Sequence, residues 1–422
     1  MKEITSSEFE TEVLAAGKVV LDFYSTECPP CEAVAPKFEG LARLYGNDIK
    51  FVKMFRQQNK PLAERLGVRS SPTLLFFDNG VQSPVTLSGG IKRSDIIHQL
   101  DGMLSGERVL EIKKDIKPTV SEFDVLILGA GPGGLTAGLY LCQSKVNTVL
   151  IDIALPGGQV STTHEVSNYP GFIDPQPGYL LSHNMSEQTK QCGAVYKVAV
   201  DVSKIDLDKK EVVIDEFETI RAKKIIIATG TSPNLMGIPG EREMKGKGIS
   251  YCATCDAKYY GDKEVVVIGG GNSAVEEGDF ISRFASKITM VHQFDALTAN
   301  KQSQEKLLAN PKVNVLYSHE PRSFVRQGDK MITEVENLKT NSRSKLVSDG
   351  VFVFIGMKPN IDLFRDKLEL DQWGYIKTSE DMQTSMPGIY AVGDVISKKY
   401  RQITTAVADG TIAAIAIAKE LN

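Results

Sequence analysis

No charge of one sign dominates this sequence. It has 49 Lys and Arg against 53 Asp and Glu, a formal net charge of -4. That gives no electrostatic reason to expect nucleic acid or an anionic membrane as a partner. Long hydrophobic runs are missing too: the apolar stretches are short and broken by charge or glycine, well below the roughly 20 residues that span a bilayer. The opening MKEITSSEFETEVL is acidic and amphipathic, without the basic start and apolar middle of a signal peptide. Cysteine is scarce, six in 422 residues, which excludes a disulfide-stapled secreted mini-domain. With 42% hydrophobic and 24% charged residues, the composition is that of an ordinary globular chain rather than a disordered or collagen-like one. At about 100–200 residues per domain, two to four domains are expected, in a cytoplasmic protein.

The few cysteines are distributed unevenly. Four form two Cys-x-x-Cys pairs, Cys28/Cys31 and Cys252/Cys255, while Cys142 and Cys192 stand alone and read as small buried residues. In a reducing compartment such pairs are metal ligands or redox centres. Zinc ribbons place their pairs roughly 15–20 residues apart, whereas here the separation is 252 − 31 = 221. Redox chemistry is the better reading, with no metal site.

Val19–Tyr24 reads as a buried strand, and Cys28-Pro29-Pro30-Cys31 opens a helix through Phe38. A thiol at the positive end of a helix dipole favours the thiolate, and a second cysteine one turn inside can resolve a mixed disulfide. Phe51–Met54 is a further strand and Leu62–Leu66 a helix, and Ser71-Pro72-Thr73 puts a proline ahead of an apolar strand, a place where cis proline is common. Residues 1–104 resemble thioredoxin in Asp22, Cys28, Cys31, Pro36, Lys53, Pro72 and Gly90. The resemblance implies Cys28 as nucleophile, Cys31 as resolving thiol and Asp22 as its proton acceptor. Glu27 and Pro29-Pro30 depart from the family's tryptophan and Gly-Pro, so the redox poise is not carried over.

Residues 105–121 are charged and lack a sustained apolar period, which predicts a partly extended tether. A strand at Asp124–Leu128 then runs into Gly129-Ala130-Gly131-Pro132-Gly133-Gly134 and a helix. Asp152 ends the next strand 152 − 131 = 21 positions after the second glycine, where a ribose-binding acid is expected. The pattern repeats with Glu264–Ile268, Gly269-Gly270-Gly271-Asn272-Ser273-Ala274 and a strand ending at His292, again 292 − 271 = 21. Glycines there permit a tight turn and close approach of pyrophosphate to a helix N-terminus. Two units imply two dinucleotides, a bound flavin and an exchanging nicotinamide.

Residues 122–422 resemble low-molecular-weight thioredoxin reductase. Gly157-Gly158-Gln159 and Asn168–Gly171 match its flavin-contacting loops, Ala228-Thr229-Gly230 its connector, and Cys252–Asp256 its redox centre. Gly393 and Asp394 match the second flavin signature, and Arg401-Gln402-Ile403 the isoalloxazine side. The fold class implied is α/β, a thioredoxin fold followed by two Rossmann-like domains. The FAD domain is discontinuous, 122–239 and 349–422, around a nicotinamide domain at 240–348 that carries the redox centre. The resemblance implies that NAD(P)H reduces FAD, FAD reduces Cys252–Cys255 through Cys255, and Cys252 attacks a thioredoxin disulfide with Asp256 as acid and base. The substrate would be the chain's own Cys28–Cys31, which then reduces other protein disulfides or peroxiredoxins. A homodimer is also implied.

Nicotinamide preference is the open point. NADPH-using members carry His-Arg-Arg and a further arginine, where this chain has His292, Gln293, Phe294 and Thr298. The flavoprotein of alkyl hydroperoxide reductase, an NADH user, also lacks those arginines. Asp295 would repel a phosphate and Lys301 is the only nearby cation, so NADH is favoured. A non-nicotinamide donor such as ferredoxin, a peroxiredoxin-reducing NADH flavoprotein and a redox-sensing binding module remain as alternatives.

Overall fold

The computed structural model describes residues 1–163, 166, 168–251 and 253–421, apart from the side chains of Thr254 and Cys255. By internal contacts the chain divides into two units. One comprises Met1–Gly158, His183–Thr229 and Ile361–Asn422, the other Gln159–Ser182 and Gly230–Asn360.

The first unit holds two sheets. The amino-terminal sheet has five strands in the order Lys2–Glu3, Lys50–Phe55, Lys18–Tyr24, Thr73–Asp78, Val81–Ser88. Its first three strands are parallel and the last two antiparallel. The central strands are apolar on both sides, so each face needs a cover. Val20, Leu74 and Phe76 pack with Phe38 and Leu41 of the helix Pro29–Tyr45, and Leu21, Phe23 and Phe77 with Phe9 and Val13 on the other face. Pro36 lies inside that helix and does not end it.

The tether prediction fails in part. Gly106–Lys114 is a helix, and its Ile112 is buried with Phe38 and Leu41. The cause is local. Ser105 caps it by accepting from the Arg108 N–H, Glu107 sits in the first turn, and Lys113 and Lys114 sit in the last. Arg108 also pairs with Asp48 at 3.0 Å. The strand that follows starts at Thr119, inside the predicted tether, because Thr119–Glu122 pair with Glu218–Arg221.

The second sheet of this unit runs Val195–Val198, Thr148–Asp152, Thr119–Leu128, Glu218–Ile227, Glu211–Ile214, Val202–Asp206. Ile389–Ala391 pairs parallel with Ile225–Ile227, so a strand from late in the chain completes a sheet begun before residue 130. The helix Ile403–Leu421 packs on the helix Pro132–Gln143, where Gly133 and Gly410 allow close approach.

In the second unit a five-stranded parallel sheet has the order Ile249–Ser250, Gly350–Val353, Glu264–Ile268, Lys287–His292, Val313–Tyr317. An antiparallel sheet of His319–Gln327, Lys330–Asn337 and Arg343–Ser348 accompanies it. The boundary expected at 348 therefore falls inside this unit, since Gly350–Val353 is bonded on both edges. Thr231–Pro233 and Met357–Pro359 pair antiparallel, extending the unit further at both ends.

Candidate functional site

Cys28 and Cys31 form a disulfide at the start of the helix Pro29–Tyr45. Cys28 is the N-cap, and its Sγ accepts from the Cys31 N–H at 3.3 Å. The Ser71–Pro72 bond is cis, as the motif predicts, and the Ser71 carbonyl oxygen lies 3.5 Å from Cys28 Sγ. Asp22, on the strand leading to the motif, is 7% exposed and its Oδ1 accepts no hydrogen bond. Burial pushes its carboxyl up to about 7, against the pull of Lys53. A carboxyl poised there can exchange a proton near neutral pH.

The first glycine turn joins the strand Thr119–Leu128 to the helix Pro132–Gln143. Gly129 has φ +108, and a Cβ there would overlap the Ala228 carbonyl oxygen. A Cβ on Gly134 would overlap the Gly129 carbonyl oxygen, and one on Gly133 would lie 3.2 Å from the Ala406 carbonyl oxygen. Gly131 is the helix N-cap, and a Cβ on Gly158 would come within 3.0 Å of its Cα. Asp152 accepts from the Ala130 N–H at 2.7 Å and the Ala154 N–H at 2.8 Å. Burial still raises its carboxyl above the ordinary range. Ala228 and Thr229 follow Ile227 in half-buried positions, and the Ala228 N–H donates to the Leu128 carbonyl at 2.7 Å.

Gly393 donates its N–H to Asp409 Oδ2 at 3.0 Å. The neighbouring Asp394 Oδ1 is buried, 3.9 Å from Lys398 Nζ, and accepts no hydrogen bond. Burial raises this carboxyl, opposed by Lys398 and Arg401. The Arg401 Cζ sits over the Tyr375 ring, 3.8 Å from its centroid, and the guanidinium donates to the Asp394 and Ile396 carbonyls. Gln402 is exposed, and its N–H donates to Thr405 Oγ1 as Ile403 begins the last helix. Asp409 and Lys398, joined at 2.7 Å, were not singled out in the sequence because neither lies in a glycine signature.

Three residues matched to flavin loops, Gln159, Asn168 and Gly230, belong to the second unit. Gln159 Nε2 donates to the Thr231 carbonyl at 2.6 Å, Asn168 is exposed, and Gly230 has φ +62. The second glycine turn repeats the first. Gly269 has φ +130 against the Phe354 carbonyl, and Gly271 is the N-cap of the helix Asn272–Ile281. Asn272 Oδ1 accepts from the Asn300 N–H at 2.8 Å, Ser273 is exposed and Ala274 buried.

His292 is 5% exposed and its ring rests on Gly270, where a Cβ would overlap it. Its Nε2 lies 3.0 Å from the Ala296 carbonyl, and burial lowers its proton affinity. It is a buried wall rather than a reaching cation. Phe294 is 54% exposed beside it. Asp295 pairs with Lys339 at 2.6 Å and accepts from Ser318. The local reading of Lys301 as the only nearby cation is therefore corrected. Lys339 arrives from the turn between Lys330–Asn337 and Arg343–Ser348, too far along the chain for a motif to register.

Cys252 lies outside the described residues, as does the Cys255 side chain. Ala253–Asp256 is a short helix, and Asp256 is half-buried. Ahead of it, the fully buried Glu241 accepts from the Met236 N–H (3.0 Å), the Gly237 N–H (2.7 Å) and the Tyr251 hydroxyl (2.7 Å).

The family described as pyridine nucleotide-disulphide oxidoreductase matches residues 123–410, and the thioredoxin family matches residues 1–102. Thioredoxin reductase of Peptoclostridium acidaminophilum is 42% identical over 299 residues, covering 69% of this chain and 95% of its own length. A 34.2 kDa protein in the rubredoxin operon of Clostridium pasteurianum is 42% identical over 302 residues, 71% of this chain and 98% of its own. The solved structure of Lactococcus lactis thioredoxin reductase (FR conformation) superposes with a TM-score of 0.60 at 36% identity, covering 70% of this chain and 98% of that one.

Proposed function

This chain belongs to the pyridine nucleotide-disulphide oxidoreductase family, and we propose that it is a thioredoxin reductase that carries its own thioredoxin substrate. The observation that carries the reading is the Cys28–Cys31 disulfide at a helix start beside a cis proline, in one chain with reductase glycine turns. The chain is an FAD-dependent oxidoreductase that uses a nicotinamide cofactor. The residues fit FAD. Gly129, Gly131 and Gly158 keep the turn bare of side chains, and the buried Asp394 Oδ1 suits a hydroxyl-rich ligand. Bound FAD supplies a two-electron carrier between nicotinamide and dithiol.

In this reading Asp152 would hold a ribose, Gly393 and Asp394 the ribityl-phosphate part, and Arg401–Ile403 the ring side. Gln159, Asn168 and Ala228–Gly230 complete the contacts, and Gly269, Gly271–Ala274 and His292 receive the nicotinamide dinucleotide. Cys255 would receive the electron pair as the Cys252–Cys255 bond breaks, leaving Cys252 to attack Cys28 and displace Cys31, with Asp256 moving the proton. Cys31 leaves as the thiol, with Asp22 handling its proton, and Cys255 then attacks Cys252 to resolve the Cys252–Cys28 mixed disulfide, which re-forms Cys252–Cys255 and frees Cys28. Each transfer carries two electrons, and the Cys28–Cys31 dithiol passes them to target protein disulfides or peroxiredoxins. Tethering supports this because effective concentrations can reach millimolar without any new contact. The intact second glycine turn speaks for a nicotinamide rather than ferredoxin. NADH is favoured over NADPH because Gln293, Phe294 and Thr298 offer no phosphate clamp and Asp295 occupies Lys339. The protein is proposed to be a cytoplasmic homodimer; no helix among the described residues is long and apolar enough to cross a membrane.

Anaerobic titration with NADH, then NADPH, tests the relay. Flavin should bleach, and wild type should then reduce insulin. Cys252→Ser and Cys28→Ser should each stop insulin reduction while leaving flavin reduction intact. Full insulin reduction by Cys28→Ser would make the thioredoxin domain a passenger.

A further inference from the structure

One lysine of the thioredoxin domain serves neither its own core nor the relay. Lys37 projects from the helix Pro29–Tyr45, and its Nζ donates to the carbonyls of Ile91 (3.1 Å), Val198 (2.9 Å) and Ala199 (2.6 Å). Two of these three belong to the flavin domain, at the end of the strand Val195–Val198. Burial brings the Lys37 ammonium down to about 8, against the pull of Asp215, Asp201 and Asp95.

Other bridges surround it. Lys92 Nζ lies 2.9 Å from Asp201 Oδ1, and the Ser94 hydroxyl donates to the same carboxylate. Arg93, only 8% exposed, stacks over Phe217 at 4.7 Å. Glu32, one residue beyond Cys31, pairs with Lys190. On the Gly90 loop, a Cβ would come within 3.3 Å of Leu155.

Between these bridges the two domains line a half-open cleft of about 570 Å³. Pro29, Ala33 and Pro36 line one side, and Tyr196, Val198 and Phe217 the other. Permanent interiors pack with few voids larger than a water molecule. A seam that leaves a cleft of this size open forgoes dispersion contacts along its middle. Its edge pairs, such as Lys92–Asp201 with both side chains about one-third exposed, each contribute little. The join has the character of a contact that opens.

We propose that the flavin domain carries a docking surface for the chain's own thioredoxin domain, built from Val198–Asp201, Lys190 and Phe217, on which that domain rests between catalytic cycles with Lys37 as its pin. The inference rests on the reading of Cys28–Cys31 as the last carrier of the relay. The docked face includes Pro29, Glu32 and Ala33 beside the redox motif and the Gly90 loop, while Cys28 keeps 8% of its surface. A target protein must approach Cys28 across that rim, so the resting dock shields the disulfide from targets until the domain leaves.

Hydrogen exchange on the full-length oxidised protein tests this. Asp201→Lys should raise exchange at Ile91–Ser94, on the opposite domain, at least tenfold, and insulin reduction should rise two-fold or more. Lys92→Asp combined with Asp201→Lys should restore protection by reversing the pair. Flavin content and NADH-driven ferricyanide reduction report that each variant is folded. Unchanged exchange at Ile91–Ser94, or no rescue by the reversed pair, would overturn the dock. Protection that grows with protein concentration would overturn docking within one chain. Failure of nicotinamide to reduce Cys28–Cys31 in wild type would instead remove the relay and leave the exchange result standing.

Discussion

Replacing Asp22 by asparagine should stabilise the oxidised amino-terminal domain, increasingly so as pH rises. The carboxyl is 7% exposed, its Oδ1 has no hydrogen-bond partner, and burial lifts it from 3.8 to about 7. Below pH 3.8 folded and unfolded chains both hold the proton, and ionisation costs nothing. Between 3.8 and about 7 the folded chain keeps a proton that the unfolded chain has released, so stability falls as pH rises. Above about 7 both are ionised and the full penalty stands. At 1.36 kcal/mol per unit, a rise of roughly three units corresponds to about 4 kcal/mol. Asparagine does not titrate, so its advantage should grow from near zero at pH 4 to several kcal/mol at pH 8. Native-state hydrogen exchange of the Lys18–Tyr24 amides, compared between pH 5 and 8, reads this locally in the intact chain. An advantage that is flat with pH, or that shrinks as pH rises, would refute the assignment of a buried, weakly compensated carboxyl. The same variant should lose about tenfold or more in insulin reduction, because general acid–base assistance is removed.

Three further outcomes are expected. Gly134→Ala puts a methyl onto the Gly129 carbonyl and within 3.2 Å of Ala228 Cβ, so the turn must open; purified protein should lose most of its flavin absorbance, and full retention would contradict the cradle. Glu241→Ala removes the fully buried acceptor of the Met236 and Gly237 N–H groups and the Tyr251 hydroxyl and should destabilise the second unit by about 1–3 kcal/mol, with Gln recovering part of it in thermal unfolding. NADH should exceed NADPH a few-fold in kcat/KM, about 1 kcal/mol. Asp295→Asn, which frees Lys339, should narrow that gap, whereas a wild type preferring NADPH tenfold would reverse the assignment.

Local patterns made much of this molecule legible. Each glycine turn, with its preceding strand and following helix, is a contiguous signal of side chains that must be absent, and both turns stand where the spacing puts them. Cys28 at a helix N-cap and the cis bond before Pro72 are readable for the same reason. What escaped depends on partners distant in sequence. Lys339 meets Asp295 through a hairpin more than forty residues on, and Lys37 meets Val198 across two domains. The helix Gly106–Lys114 is a different failure. Its capping serine and charge bias were visible, but it is only nine residues long, with Ile112 as its single buried residue, too short for an apolar period to stand out.

The strand Ile389–Ala391 beside Ile225–Ile227 carries a consequence for synthesis. The thioredoxin domain, matched over residues 1–102, can fold as soon as it leaves the ribosome, whereas the flavin sheet cannot close until residue 391 has been made. The interval is 389 − 102 = 287 residues to the first residue of that strand, or about 14–57 s at 5–20 residues per second. For that time the nascent chain bears a finished thioredoxin with no reductase attached. Its Cys28–Cys31 pair is then exposed to whatever oxidants and thiols surround the ribosome. The newborn enzyme therefore starts its first cycle in a redox state set by its surroundings, not by its own flavin.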